Sequence, residues 1–366
     1  MNQPSPWNIA LAVASALAII GACSIPPQSQ FTTTTPSRNT TDQGSAATEA
    51  TLSAPPSAAT STIPAATVTS HPVDPRSSLA AGTYLVYWVS GHLRARTLDG
   101  SVDQELIPMG NEPYARLSPD GARVAFGSDG QLFIYDLFSG VLTPLHTAGT
   151  NSYTPDWSPD GTRLVFAFDS EPPVNSSIYQ LDLATGGIVR LTPWDTVERS
   201  PAWSPDGHWI AYAADQAVIR STGGSFLGVT ELYLLNAVCI SSVASCGGSS
   251  QRITFGAPET VADAPAWSPN SRSLAFMCGR AIGEDFEYDI CTVGLDGSKF
   301  SALMTTPEEE LWPVWSPDGA QIGYTRKDPD APNRDIYVLP FDGGEPVNVT
   351  RSADVDEVLA FWLVIP

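Results

Sequence analysis

Apolar and polar residues alternate in short stretches along residues 82–366, and turns containing glycine or proline separate the stretches. Alternation with a period of two over a few residues marks β-strands with one buried face. The unit Tyr153 to Thr192 shows the pattern in full. Pro155-Asp156-Trp157 predicts a short first strand and Ser158-Pro159-Asp160-Gly161 a turn. Arg163–Phe168 (RLVFAF) predicts a second strand and Ile178–Leu183 (IYQLDL) a third. Thr185-Gly186-Gly187 turns the chain again before a fourth strand at Ile188–Leu191.

Other units fit the same template. Second strands are expected at Val124–Phe126, Trp209–Tyr212, Leu274–Met277 and Ile322–Tyr324. Third strands are expected at Leu132–Asp136, Leu232–Leu235, Ile290–Val293 and Ile336–Leu339. The phrase Ser-Pro-Asp-Gly begins at Ser118, Ser158, Ser204 and Ser316, with Ser-Pro-Asn-Ser at Ser268–Ser271. Successive serines lie 40, 46, 64 and 48 residues apart. Proline at the second turn position presets φ, aspartate bonds nearby backbone, and glycine supplies a positive φ. Four short strands per repeat of roughly 40–50 residues is the form of a propeller blade.

The two ends complement each other. Gly82–Pro108 begins with a second-type strand (Tyr84–Trp88) and lacks a first one. Val358–Val364 is a lone strand in the register of the tryptophan-containing first strands. Joining this C-terminal strand to the three N-terminal ones removes exposed sheet edges. The expected architecture is all-β: a six-bladed β-propeller with four-stranded antiparallel blades, closed by that composite blade.

The Trp-Ser-Pro-Asp-Gly phrases followed by aliphatic-aromatic strands and Ile-Tyr strands resemble the TolB-type propeller repeats known as PD40 or WD40-like. The resemblance covers about Gly82 to Pro366. TolB carries a separate α/β domain before its propeller, and this chain has a different segment there. The resemblance implies that the first strand of each blade lines a central channel. It also implies that the channel mouth and the loops between second and third strands form the usual binding face.

The N-terminal region reads as targeting and tether. Ile9–Ile20 is an apolar run of signal-peptide length, too short to cross a bilayer comfortably. It leads into Ile20-Gly21-Ala22-Cys23, which resembles the bacterial lipobox, although no Lys or Arg precedes the run. Residues 1–22 are therefore expected to be a lipoprotein signal peptide and Cys23 the lipidated residue. Between Ser24 and Ala81, Thr, Ala, Ser and Pro supply 40 of 58 residues. Such a composition cannot offset the entropy of ordering, so residues 23–81 read as an anchored disordered tether. Its reach is about 45 Å as a coil. The propeller then occupies residues 82–366, held outside the cytoplasm at a bacterial cell envelope.

Charge and cysteines narrow the chemistry. A formal net charge of −21 repels nucleic acid phosphates and favours cations or basic protein surfaces. Four cysteines besides Cys23 lie in the exported part, where disulfides are permitted. Cys239 and Cys246 share one enlarged loop, and Cys278 and Cys291 flank a hairpin. Those two local pairs are expected among three connectivities.

Acidic residues stand just before the inner strands: Glu112, Glu198, Asp263, Glu310 and Glu357, with Tyr153, Arg199 and Trp312 beside them. If they converge, such carboxylates suit a basic peptide, Ca²⁺ or another cation. No further cofactor is expected. Long loops at Ser170–Ser177, Asp215–Thr230, Gly279–Glu287 and Lys327–Arg334 fall on the same face. Trp157, Trp203, Trp267 and Trp315 are expected to pack between blades. Trp312 stands where Thr154, Ser200 and Ala264 stand in other units, and is the stronger ligand-contact candidate.

Two functional readings remain open from sequence. The first is a monomeric, membrane-anchored scaffold that binds an envelope protein or peptide. The second is a propeller enzyme of carbohydrate lyase or hydrolase type, using mouth carboxylates or a bound metal. No Gly-x-Ser-x-Gly, His-Glu-x-x-His or P-loop motif is present. The four histidines, His71, His92, His146 and His208, are scattered.

Overall fold

The phrase that repeats in the sequence repeats as one hydrogen-bonded turn. In each copy the serine hydroxyl donates to the side chain two residues on. Ser118–Asp120 is 2.5 Å, Ser158–Asp160, Ser204–Asp206 and Ser316–Asp318 are each 2.6 Å, and Ser268–Asn270 is 2.9 Å. The same serine oxygen accepts the N–H five residues on, from Arg123, Arg163, Trp209, Ser273 and Gln321, at 2.8 to 3.0 Å. The turn exits at positive φ, 67° at Gly161 for example, and Ser271 takes φ 57° in the degenerate copy. That serine puts its hydroxyl to use by accepting the Asp206 N–H at 3.0 Å.

The computed structural model describes residues 79–108, 114–145, 152–169, 176–192, 196–220, 226–237, 250–256, 260–282, 285–304, 306–327, 333–352 and 355–366. Cys23, Glu112, Cys239 and Cys246 lie outside the described residues. Strands β1 (Gly82–Val89), β2 (His92–Arg96) and β3 (Asp103–Pro108) form an antiparallel meander. The next is β4 (Ala115–Leu117), β5 (Arg123–Ser128), β6 (Gln131–Asp136) and β7 (Leu142–Pro144). A third comprises β8 (Ser152–Trp157), β9 (Arg163–Asp169), β10 (Ser176–Asp182) and β11 (Ile188–Arg190). A fourth comprises β12 (Glu198–Trp203), β13 (Trp209–Arg220), β14 (Phe226–Asn236) and β15 (Gln251–Arg252). A fifth comprises β16 (Thr260–Trp267), β17 (Ser273–Ile282), β18 (Asp285–Gly294) and β19 (Ser301–Ala302). The last comprises β20 (Glu309–Trp315), β21 (Gln321–Lys327), β22 (Arg334–Pro340) and β23 (Val347–Asn348), followed by β24 (Glu357–Ile365).

These are four-stranded antiparallel propeller blades. Strand β24 pairs with β1 from Gly82–Ile365 to Val89–Glu357, so the sheet order is β24-β1-β2-β3. The β12–β15 and β16–β19 units share one eight-stranded sheet through a single parallel bridge, Thr230–Val261.

One sequence expectation is corrected here. In the expected loops, the described residues 215–220 and 226–230, and 279–282 and 285–287, pair as continuations of the β13–β14 and β17–β18 hairpins. An antiparallel ladder satisfies backbone donors and acceptors that a loop must leave to water, so pairing extends where residues allow it. Packing against the sheet begins before Gly82. Leu79 packs against the cluster of Tyr84, Leu93 and Phe361, and Tyr84 donates to the Ala80 carbonyl at 2.8 Å.

Blades pack face to face through the phrase tryptophans. Trp157, Trp203, Trp267 and Trp315 are all buried. The Trp157 indole donates to the Arg116 carbonyl at 3.0 Å, and Trp267 donates to Ala202 at 2.9 Å. Trp362 of β24 donates to Val314 of β20 at 3.2 Å. Guanidinium groups cover two of the rings from the preceding unit, Arg123 over Trp157 at 4.7 Å and Arg163 over Trp203 at 4.8 Å. Cys278 and Cys291 form a disulfide across β17 and β18 with Cα atoms 5.7 Å apart, the pairing expected from sequence.

Ser158 is fully buried and serves both the Asp160 side chain and the Arg163 N–H. Ser158→Ala removes both bonds. It is expected to cost about 1–3 kcal/mol, read as a lower midpoint in thermal or urea unfolding; an unchanged midpoint would show that the turn network is not stabilising.

Candidate functional site

The inner strands share a kink that decides which side chains face the centre. Thr154, Ser200, Ala264 and Trp312 each lie three residues before a phrase tryptophan and directly before proline. Each adopts a left-handed φ, at 48°, 54°, 49° and 52°. The register to the second strand shifts there in all four, between Tyr153 and Asp156 and its equivalents. This is a β-bulge, and bulges re-aim side chains at functional edges. A left-handed non-glycine residue costs on the order of 1–3 kcal/mol, so the surrounding pairing must hold it.

The bulged segments surround a cavity of about 210 Å³. Its wall includes Tyr153, Arg199 and Asp263 from one strand position and Ser200 and Trp312 from the next. Tyr114 and Arg116, from the β4 segment, complete it. Tyr114 meets Trp312 edge to face, with ring centroids 5.9 Å apart. Pro155, Pro201 and Pro265 supply apolar wall between the polar groups.

Arg199 is held from three sides. Its Nε donates to Asp263 at 2.6 Å, Nη1 to Asp215 at 3.0 Å and Nη2 to Thr230 at 2.9 Å. Burial works against its charge, but Asp263 and Asp215 more than offset this and raise its pKa. Tyr153 donates to Asp169 at 2.6 Å and lies 2.8 Å from the Ser176 hydroxyl. Burial, reinforced by Asp169, raises its phenol pKa, so Tyr153 stays neutral. Asp156 accepts the Trp203 N–H at 2.6 Å. Burial pushes its carboxyl up to about 6, against the opposing pull of Arg116.

Among the described residues, the acidic candidates do not form a ring around the pocket. Glu198, Glu310 and Glu357 stand one position before the pocket register and are buried, with relative exposures of 2%, 0% and 5%. Glu198 and Glu310 precede the bulge, paired in the ladder opposite Ala214 and Arg326, and none of the three lines the pocket. These three carboxyls meet threonines instead. Thr192 donates to Glu198 with Thr196 beside it at 3.1 Å, Thr306 donates to Glu310 at 2.6 Å, and Thr350 acts on Glu357. Burial pushes each carboxyl up to about 7, with Asp289 adding to the rise at Glu310 and Asp335 at Glu357. Asp263 alone of the described acidic candidates lines the pocket. Among the described residues, no three His, Cys, Asp or Glu side chains cluster in a way that would hold a metal.

Tyr153, Arg199, Asp263 and Trp312 are brought together in one cavity wall. Tyr114 and Arg116 are less legible because their unit has Leu117 in place of tryptophan and Ala115 in place of the proline two residues before it. The offset was available: Tyr114 precedes Leu117 by the same three residues that separate Trp312 from Trp315.

Comparisons with known proteins place the repeats. The family model for the TolB beta propeller domain, PD40, matches residues 92–219. The chain is similar to TolB from Acinetobacter baumannii at 19% identity and a TM-score of 0.58, covering 76% of this chain and 66% of that one. A TolB-type structure from Agrobacterium tumefaciens is similar at 19% identity and a TM-score of 0.55, covering 78% of this chain and 99% of that one. The tricorn protease is similar at 12% identity and a TM-score of 0.51, covering 75% of this chain and 30% of that one. Likeness at these identities concerns the fold. No curated protein matches this chain by sequence.

The buried carboxyls set a pH dependence. Their folded pKa values, about 7, lie above the ordinary value of 4.5, so the stability they support is complete below about 4.5 and is lost as pH rises through 7. The turn aspartates act oppositely: hydrogen bonds from Ser158 lower Asp160 to about 2, and its contribution is lost only in acid. The melting temperature is therefore expected to peak between about pH 4 and 5. Glu310→Gln should flatten the fall toward pH 8, by about 1–3 kcal/mol. A wild-type melting curve that rises from pH 5 to 8 would refute the assignment.

Proposed function

We propose that this chain is a β-propeller of TolB-type PD40 repeats that acts as a protein-binding scaffold held outside the cytoplasm on a lipid anchor. Six blades close its ring in this reading. The eight-stranded sheet counts as two blades joined by one bridge, and the pairing of β24 with β1 supplies the composite blade. Arg116 reaches from β4 to the Ala360 carbonyl at 3.4 Å, which supports the junction on the other side of that blade.

The observation that carries the binding role is the pocket itself. Side chains from β8, β12, β16 and β20 and from the β4 segment converge on it, and four strained residues hold the kinks that aim them. Strain that recurs at one place is characteristic of functional sites. Pockets for whole small ligands run about 300–1,000 Å³. A cavity of about 210 Å³ suits one anchoring group of a larger partner. Glu198 at the start of β12 lies opposite Ala214, so the long β13–β14 hairpin runs on from the pocket end of the blade and adds surface there.

Photocrosslinking tests the role. With p-benzoylphenylalanine at Trp312, a discrete protein adduct is expected from the native envelope. The same group at Phe138, in the turn between β6 and β7, should give none. Adducts from position 138 alone would place binding at the other end of the blades and refute the pocket.

The anchor has its own test. Release of the native protein by detergent but not by salt is expected, with Cys23→Ala giving a freely soluble protein. A wild-type protein that fractionates as soluble would refute lipidation.

A further inference from the structure

The pocket holds two guanidinium groups in very different states. Arg199 is matched by Asp263 and Asp215. The carboxylates around it are committed in turn: Asp263 also accepts the Ala264 N–H at 2.6 Å, and Asp215 accepts the Thr230 hydroxyl at 2.8 Å. Arg116 makes no ion pair within 4 Å among the described residues. Its only hydrogen bonds there run from Nη1 to the carbonyls of Ala115, at 3.0 Å, and Ala360, at 3.4 Å. These bonds hold the side chain in place and leave Nε and Nη2 without a protein acceptor among the described residues. Asp156 interacts with Arg116 through space while its own oxygen accepts the Trp203 N–H.

Arg116 lies beside Tyr114 and Trp312 in the wall, and a smaller recess continues from there along Pro313, Val358 and Leu359. The wall on this side of Arg116 thus supplies aromatic and apolar groups. A guanidinium edge with open donors matches a carboxylate in bidentate geometry. Aromatic walls beside it take a flat apolar group.

We propose that Arg116 receives the carboxylate of a partner's C-terminal residue, and that Tyr114 and Trp312 take that residue's apolar side chain. This reverses the expectation drawn from the net charge of −21: the anchor the pocket selects is an anion, although the protein as a whole is acidic. The cavity volume favours one terminal residue over an internal acidic segment, whose chain would have to enter and leave. The inference rests on the scaffold reading of the pocket and adds the chemistry that reading lacks.

Ligand-observed NMR on the full-length, detergent-solubilised protein tests it with three probes: N-acetylphenylalanine, N-acetylphenylalanine amide and galacturonate. N-acetylphenylalanine is expected to bind at least about tenfold more tightly than its amide, because only the acid can form the charge-assisted pair. Arg116→Gln should abolish that preference. Arg116→Lys should restore part of it, since lysine keeps the charge but loses the fork. Trp312→Ala should weaken acid and amide alike. Melting curves confirm that each variant is folded, and Arg116→Lys keeps the test usable if Arg116→Gln is not.

Equal binding of acid and amide, binding of neither, or a preference that survives Arg116→Gln overturns the inference. Galacturonate displacing N-acetylphenylalanine also overturns it, by assigning the guanidinium to a sugar acid. The crosslink at position 312 separates the two readings. An adduct that persists without any carboxylate preference sinks the anchor chemistry alone, whereas loss of the adduct with the preference intact sinks the scaffold.

Discussion

Each inner strand must pair along its length and also turn its first residues toward the centre, and the kink before proline is what reconciles the two. A regular strand would keep Thr154, Ser200, Ala264 and Trp312 in an unbroken ladder. At φ near 50° they interrupt it, the register to the second strand slips, and the residues around them surround a cavity. Proline at the next position has no N–H to lose from the interrupted ladder. The local cost is met by the rest of the blade, where the second and third strands are paired throughout and buried between neighbours.

The polar groups divide by the same geometry. One residue separates Glu198 from Arg199, yet the first is enclosed against threonines while the second faces the cavity. Glu231 shows that the carboxyl–threonine contact is not confined to inner strands: buried on β14, it takes Thr254, Arg252 and the Gly256 N–H. Threonines 192, 254 and 350 also accept a third-strand N–H, from Ile178, Leu232 and Ile336. Each thereby fixes the end of its own blade while presenting a donor to a carboxyl. Acidic residues that looked like a binding ring in the sequence are in this way part of the framework, and the pocket is left to arginines, aromatics and one paired aspartate.

Much of the fold was legible because its signals are local. The Ser-Pro-Asp-Gly turn needs only residues within five positions of one another, so five copies could be placed from sequence. The tryptophans read correctly as packing between blades, because a large apolar residue at a fixed offset from a turn has one buried face available. Hairpin lengths were not legible. Residues 215–230 carry no alternation strong enough to distinguish a loop from a continued ladder, and for 215–220 and 226–230 the partner strand decides the matter. The site was half legible: Trp312 stood out against its equivalents, while Tyr114 and Arg116 were hidden in the one unit without the tryptophan and proline.

The sequence by itself determined the repeat, its turns, the strand order within a blade and the pairing of two cysteines, since each depends on neighbours along the chain. Only the tertiary structure decided which side chains share the cavity, which carboxyls are sealed away from it, and that among the described residues Arg199 is matched while Arg116 is not. Residues 114, 153, 199, 263 and 312 are brought together from separate blades, and a one-residue bulge sets the face each one occupies. Neither the distance bridged nor the direction chosen is written in local composition; both follow from how strands curve and pair in three dimensions.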